Sequence, residues 1–161
     1  MNGLKLINYP LDVPYMLALA DKIKENAEPY IDPRFDTPIE TWKILMFEDP
    51  YIAKVMEDLN IQAVPRFYWQ DPNSVLAMHV DYYTKCSVNF VLTDDPAPIT
   101  IEDTDYTYKQ AVLDTTRLHG VKTQEKERIL LKLSISHSSY EDIIEDIPEQ
   151  YIVNGIDYEK K

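Results

Sequence analysis

Apolar residues near the start of the chain recur at the three- and four-residue spacing of an amphipathic helix. They form one stripe in residues 12–28, where Asp12 stands at a favoured capping position and Pro14 in the first turn. Residues 50–59 repeat this spacing behind a proline. The pattern therefore predicts two N-terminal helices. The segment between them, residues 41–47, fits a strand or a helix, and its assignment stays open.

Beyond residue 61 the helical spacing gives way to short β-rich runs separated by turn-like patches. The runs lie at residues 61–69, 74–80, 86–93, 97–101, 107–114 and 128–135. The last of them alternates between two faces, which is typical of a strand. Residues 138–147 then return to helical spacing. Many short strands beside a few helices predict a mainly β fold with flanking helices (α+β), built as a β-sandwich or barrel.

The length of 161 residues fits a single domain, and a hydrophobic content of 45% is enough for a core. Within that domain we expect residues 1–60 to form a mostly helical support and residues 61–147 to form the β core. Residues 148–161 are expected to be a tail.

Charge and cysteine content narrow the function classes. The net charge of −12 repels phosphate backbones, so nucleic acid is not an expected partner. No apolar run is long enough to cross a bilayer, and the first residues lack the basic start and apolar stretch of a secretion signal. We therefore expect no membrane partner. Cys86 is the only cysteine, which indicates a reducing cytoplasm, and its place in a β-like run makes it a core residue rather than a nucleophile.

One short stretch raises the question of a metal site. His79 and Asp81 stand two residues apart at the end of a predicted strand, where such residues point to the same side. With 28 acidic residues in the chain, an acid two positions from a histidine is common, so the pair by itself is weak evidence. If the shared side is a barrel interior, an imidazole and a carboxylate there suit a divalent metal.

A third ligand has to come from the two remaining histidines. His137 follows the last strand and is expected in a loop or cap. His119 lies in a β-like stretch, and a hairpin between residues 119–121 and 126–128 would set it opposite Arg128. Two histidines and one carboxylate bind Fe(II) on one side and leave positions open. A 2-oxo acid that chelates the iron needs a cation for its far carboxylate, and a guanidinium suits this contact.

The order His79-x-Asp81, then His119, then Arg128 nine positions later resembles the 2-oxoglutarate- and Fe(II)-dependent oxygenases. Within that superfamily the chain is most similar to the prolyl-hydroxylase-like branch, in a short form of the kind found in marine phages. The resemblance covers about residues 60–140. It implies a double-stranded β-helix (jelly-roll) core, Fe(II) held by the three ligands, and 2-oxoglutarate and O₂ as cosubstrates for hydroxylation of a C–H bond. For a phage-encoded form, the setting would be the cytoplasm of the bacterial host.

The resemblance also implies roles for residues around the metal. Lys132, on the same strand face as the arginine, is the second choice of carboxylate anchor. Tyr68 and Asn89 are further candidates for contacts with 2-oxoglutarate, beside the alternatives of core packing for the tyrosine and a backbone partner for the amide. Tyr82 and Tyr83 are expected at the pocket mouth, where they contact substrate or cover the rim.

Two other functions stay open. A cupin-type metal enzyme would use the same barrel without 2-oxoglutarate and would have no need of Arg128. A non-catalytic jelly-roll protein, with a binding role or a place in a virion, would keep the barrel without a metal. For an oxygenase, both a peptide side chain such as a prolyl group and a small metabolite remain open as the substrate.

Overall fold

The computed structural model of the chain describes residues 2–32, 34–94, 98–121 and 125–154. The helices are α1 (Val13–Ile23), α2 (Pro50–Asp58) and α3 (Tyr140–Asp146). The strands are β1 (Leu4–Leu6), β2 (Glu28–Asp32), β3 (Thr37–Met46), β4 (Val64–Gln70), β5 (Leu76–His79), β6 (Cys86–Val91), β7 (Ile99–Ile101), β8 (Thr104–Tyr106), β9 (Gln110–Leu113), β10 (His119–Val121) and β11 (Arg128–Ile135). The predicted fold class, mainly β with flanking helices, is confirmed.

Each helix begins at a polar side chain that caps its first turn. The side chains of Asp12, Asp49 and Ser139 accept hydrogen bonds from backbone N–H groups at the starts of α1, α2 and α3. The helix predicted over residues 12–28 is longer than the one observed. The α-helix ends at Ile23 and continues as one 3₁₀ turn, because the next residues pair with β3 as strand β2.

Two antiparallel sheets form the body of the fold. In the described residues, the large sheet has the strand order β1-β9-β6-β11-β4-β3-β2, and the small sheet has the order β5-β10-β7-β8. One core lies between the sheets and takes side chains from both, such as Tyr68 and Leu130 from the large sheet and Ile101 and Val121 from the small one. This arrangement is the double-stranded β-helix expected from the resemblance.

A second core lies on the other face of the large sheet, under the helices. Met16 of α1, Ile52 of α2 and Ile143 of α3 are buried there against a layer that includes Phe67 and Leu131. Successive residues of a strand point to opposite faces. β11 therefore serves both cores, with one face under the helices and the other between the sheets.

The N-terminal third is only partly the helical support expected for residues 1–60. Besides α1 and α2, it contributes β1, β2 and β3 to the large sheet. The ambiguous segment 41–47 belongs mainly to β3, which pairs with β2 on one side and β4 on the other. Hydrogen bonds to these two strands make the segment a strand. A local pattern of apolar residues carries no information about which strands will pair with it.

The tail expected over residues 148–161 is tied to the fold at its start, where Ile152 pairs with Ile7. Residues 155–161 lie outside the described residues. Cys86 is fully buried, as expected, and burial raises the pKa of its thiol to about 12. None of the helices in the described ranges is long and apolar enough to span a membrane.

Leu131→Ala should lower the free energy of unfolding by about 2–5 kcal/mol, because the side chain is fully buried in the helix-covered core. The measurement is urea unfolding followed by circular dichroism. Val75→Ala is the control, since Val75 is 52% exposed and its change should stay within about 0.5 kcal/mol. Equal stability losses in the two variants would contradict this description of the core.

Candidate metal centre

Two histidines face each other on the small sheet. In the antiparallel pairing of β5 with β10, His79 lies directly opposite His119, and the ring centroids are 4.5 Å apart. Directly opposed residues of an antiparallel pair share a face. Both rings are buried and line the cavity between the two sheets.

This pairing replaces the hairpin expected between residues 119–121 and 126–128. β10 pairs with β5 on one edge and β7 on the other, whereas Arg128 begins β11 in the large sheet. A strand that is bonded on both edges has no edge left for a hairpin partner. His119 and Arg128 still line the same cavity, because they enter it from opposite sheets.

Gly120 allows β10 to approach β5 closely. A Cβ atom at this position would lie 2.7 Å from the backbone oxygen of Leu76 and 3.0 Å from the backbone nitrogen of Met78. Contacts this short would force the two strands apart. The absence of a side chain at residue 120 therefore keeps His119 against His79.

Backbone carbonyls orient both imidazoles. Nδ1 of His79 is 2.8 Å from the carbonyl oxygen of Ala77, and Nδ1 of His119 is 2.7 Å from that of Arg117. A ring nitrogen that bonds a carbonyl carries the proton, so the lone pair of the neutral ring is on Nε2. This is the tautomer that a metal-binding histidine needs, with Nδ1 held by a backbone acceptor.

Asp81 completes the group from the loop just after β5. Its Oδ1 atom is 3.4 Å from Nε2 of His79 and 3.5 Å from Nε2 of His119. The three ligand atoms all lie within 4.8 Å of one another. Two donors about 2 Å from one ion and at right angles to each other are roughly 3 Å apart. The arrangement therefore fits one divalent ion after a small contraction.

The second carboxylate oxygen of Asp81 is held by the large sheet. Nζ of Lys132 donates a hydrogen bond of 3.0 Å to Oδ2, and both side chains are mostly buried. Burial alone would raise the pKa of Asp81, but the ammonium of Lys132 and the two imidazoles hold it well below its ordinary value. Lys132 thus already has an anionic partner, which removes the reason to rank it as a spare carboxylate anchor.

Arg128 enters the cavity from the large sheet as a buried cation. It is 2% exposed, and its Nη2 atom donates a hydrogen bond of 3.3 Å to the hydroxyl of Tyr108. Its Nε atom has no hydrogen-bond partner, and no carboxylate of the described residues lies within ion-pair distance of it. A buried guanidinium without an anion is unfavourable. The site around it fits the carboxylate of a ligand.

A short polar network lies beside Arg128. Asn89 donates a hydrogen bond of 3.0 Å to the hydroxyl of Tyr108 and accepts one of 2.9 Å from Ser87. The partners of this amide are therefore side chains, not the backbone group considered from the sequence. The hydroxyl oxygen of Tyr108 accepts from both Asn89 and Arg128, so its own proton is left to donate into the cavity. Tyr68 lines the same cavity.

Several lining residues had no signal in the sequence. They are Tyr30, Trp42, Ser87, Tyr108 and Thr115. They come from separate segments and stand at no fixed spacing from the histidines. The indole N–H of Trp42 is buried without a hydrogen-bond partner, which marks a second donor that a bound ligand would satisfy.

Tyr82 and Tyr83 lie on the outer side of the metal group. They are 67% and 89% exposed, respectively. Both border a groove that also contains Asp81 and Lys132. Their place at the mouth of the metal pocket stays a prediction. His137 is exposed in a bend after β11, away from the other two histidines, as expected for a loop residue.

Comparison with solved structures identifies the fold. A prolyl-4-hydroxylase from Pseudomonas putida is 14% identical, with a TM-score of 0.64, and the match covers 85% of this chain and 94% of that one. The chain has the fold of the 2-oxoglutarate- and Fe(II)-dependent oxygenases. An oxygenase of that family from Burkholderia pseudomallei is also 14% identical, with a TM-score of 0.54 over 85% of this chain and 86% of that one.

A third protein of this fold was solved with ligands. HygX from Streptomyces hygroscopicus, with nickel and 2-oxoglutarate bound, is 10% identical, with a TM-score of 0.53 over 86% of this chain and 85% of that one. No family model matches the chain, and no curated protein matches its sequence. Identities this low show only the fold, so the candidate metal site is supported by its geometry alone.

Asp81→Ala should abolish Mn(II) binding and also destabilise the fold, because it leaves the buried ammonium of Lys132 without an anion. Breaking a buried ion pair by removing one partner costs about 3–5 kcal/mol. Asp81→Asn should also lose the metal but stay more stable, since its amide oxygen still accepts from Lys132. Metal binding is measured by electron paramagnetic resonance and stability by urea unfolding.

The double variant Asp81→Ala/Lys132→Met serves as the control, because it removes both charges together. It should recover part of the stability lost in Asp81→Ala while still failing to bind Mn(II). If Asp81→Ala and the parent have the same free energy of unfolding, the ion pair does not contribute to the stability of the fold.

Proposed function

We propose that this protein is a 2-oxoglutarate- and Fe(II)-dependent oxygenase that hydroxylates a C–H bond. The observation that carries the proposal is the pairing of two features in one cavity. One is the His79–Asp81–His119 group, and the other is the buried Arg128 without a carboxylate partner among the described residues. A metal site alone is common to many barrels. A buried, unpaired guanidinium beside it supports a dicarboxylate cosubstrate.

The donor set fits Fe(II). Two imidazole nitrogens and one carboxylate oxygen are the ligands of iron sites that keep coordination positions open for other molecules. The carbonyl contacts of both Nδ1 atoms present Nε2 to the ion, and Lys132 leaves Oδ1 of Asp81 as the free carboxylate oxygen. When bound, iron with 2-oxoglutarate and O₂ supplies the oxidant, with succinate and CO₂ as the products of the cosubstrate.

The residues of the chain position the cosubstrate and keep the site dry. Arg128 would grip the distal carboxylate with its free Nε–H and an Nη–H, a bidentate contact that also fixes direction. Tyr108 supports the guanidinium and has a hydroxyl proton to donate, while Tyr68 and Asn89 line the same space. Apolar side chains such as Ile101 and Leu130 complete the walls and exclude water.

The substrate would approach through the groove beside Asp81, where Tyr82 and Tyr83 are exposed. A prolyl-4-hydroxylase among the fold neighbours supports a peptide side chain such as proline. A small metabolite is the other class of substrate for this proposal.

The test is an anaerobic titration of the full chain with Fe(II) and 2-oxoglutarate. A weak visible charge-transfer band should appear only when both are present, because it arises from the chelate of the cosubstrate on the metal. A protein that binds Fe(II) but gives no band would be a cupin-type metal enzyme. A protein that binds neither would be a non-catalytic jelly-roll protein.

Arg128→Ala should weaken 2-oxoglutarate binding by about thirty- to a thousandfold. The loss of a charge-assisted contact in a dry pocket costs on the order of 2–4 kcal/mol, and 1.4 kcal/mol is about a factor of ten. Arg128→Lys should retain part of the affinity, because it keeps the positive charge. It should lose the rest, because an ammonium cannot make the bidentate contact. The measurement is calorimetry with Mn(II) in place of iron.

Two controls separate the anchor from other effects. Mn(II) affinity should barely change in Arg128→Ala, since the arginine is not a ligand. Lys132→Met tests the other cation of the cavity and should affect 2-oxoglutarate less than Arg128→Ala does. Because Lys132 also holds Asp81, Mn(II) affinity is measured in Lys132→Met as well. A larger loss of 2-oxoglutarate binding at unchanged Mn(II) affinity would move the anchor to the lysine.

A further inference from the structure

A groove that Asp81 borders lies next to the cavity that the two histidines line. We call it the outer groove and define it by Arg66, Tyr68, Asp81, Tyr82, Tyr83 and Lys132. Its volume is about 230 Å³. Tyr68 and Lys132 also line the cavity that holds His79 and His119, so the two spaces are neighbours.

Arg66 projects into the outer groove from β4. It lies directly opposite Lys132 of β11 on one side and Met46 of β3 on the other, so the three side chains share a face of the large sheet. Arg66 is half-buried. Its guanidinium makes no hydrogen bond or ion pair with any described residue.

The four arginines of the chain divide into two pairs. The guanidiniums of Arg34 and Arg117 each pair with carboxylates of the chain. Arg66 and Arg128 lie beside the metal group, and neither has a carboxylate partner among the described residues. In a chain with 28 acidic and 16 basic side chains, acids are abundant. The two unpaired guanidiniums therefore mark the places where a ligand supplies the anion.

Arg66 and Arg128 lie at different levels of the large sheet. Arg66 stands opposite Lys132, four residues along β11 from Arg128. Four residues of a strand span about 13 Å. Arg128 lines the cavity between the sheets and Arg66 lines the outer groove, so the two guanidiniums face different spaces.

We propose that Arg66 binds a carboxylate of the substrate, so that this oxygenase acts on an anionic organic compound. This inference rests on the proposed function of the metal centre. Arg66 is directly across from Lys132, whose Nζ contacts the metal ligand Asp81, and opposed side chains start about 5 Å apart. The carboxylate of the substrate is consequently only a few bonds from the carbon that reacts. The exposed rings of Tyr82 and Tyr83 border the groove on its open side.

Both a free amino-acid derivative and an acidic peptide carry such a carboxylate, so the experiment has two arms. The small-molecule arm compares N-acetyl-L-proline with its neutral amide. The peptide arm compares acetyl-Gly-Pro-Glu-amide with acetyl-Gly-Pro-Gln-amide, which differ only by a charge. The full chain is loaded with Mn(II) and 2-oxoglutarate, and the Mn(II)-dependent relaxation of the probe protons is measured by NMR against a Zn(II)-loaded sample.

In at least one arm the anionic probe should be relaxed by Mn(II), and its neutral counterpart should bind at least tenfold more weakly. Arg66→Gln should abolish this preference, and Arg66→Lys should restore part of it. Lys43→Gln is the matched control. Lys43 precedes Ile44, which lines the outer groove, but its side chain points to the other face of β3. It should behave like the parent protein.

The binding of 2-oxoglutarate is measured by calorimetry on the same samples, so that the two proposals fail separately. If the parent does not bind 2-oxoglutarate with Mn(II), the proposed function is wrong. If it does, and neither probe pair shows a charge preference, or Arg66→Gln keeps the preference, the role of Arg66 is wrong. If Arg66→Gln instead weakens 2-oxoglutarate binding tenfold or more, Arg66 belongs to the cosubstrate site and the inference is overturned.

Discussion

The ion pair between Asp81 and Lys132 joins the two sheets across the cavity. Asp81 lies two residues after the end of β5 in the small sheet, and Lys132 lies in the middle of β11 in the large one. Both charges are mostly withdrawn from water, so each depends on the other. The contact also decides which oxygen of the carboxylate faces the histidines. The geometry of the metal centre therefore depends on how the sheets are held together.

β11 combines the needs of stability and of chemistry in one strand. On one face Leu131 and Leu133 are buried under the helices, and on the other Arg128 and Lys132 enter the space between the sheets. A shift of one residue in the register of β11 would exchange these faces and put the cations into the helix-covered core. The pairing of β11 with β4 and β6 on both edges opposes such a shift.

Elements with a strong local period were predictable from the sequence. The helix expected over residues 50–59 and the strand expected over residues 128–135 agree closely with α2 and β11. The strands β1, β2 and β8 were not predicted, because segments of three to five residues carry too little periodicity. Their strand character comes from neighbours that are distant in the chain.

The candidate site shows the same division between local and distant information. The spacing of His79 and Asp81 is local, and few histidines were available as a third ligand, so the set was accessible from sequence. The strand that pairs with His119 could not be predicted from the sequence. The register of β10 depends on Gly120 and on two strands from other parts of the chain. Tyr108 was missed for a similar reason, since only the fold brings its hydroxyl to Arg128.

The candidate metal ligands come from the small sheet and from the loop that follows β5, whereas Arg128 comes from the large sheet. The backbones of packed sheets lie about 10 Å apart. In the proposed function the cosubstrate would occupy the part of that space that the ligand side chains and Arg128 leave open. A shorter 2-oxo acid on the same metal would leave Arg128 unpaired, and a longer one would have to bend. Side chains such as Tyr68 and Leu130, which fill the space between the sheets, set that distance. The packing of the core thus limits the length of the cosubstrate that can contact both the metal and Arg128.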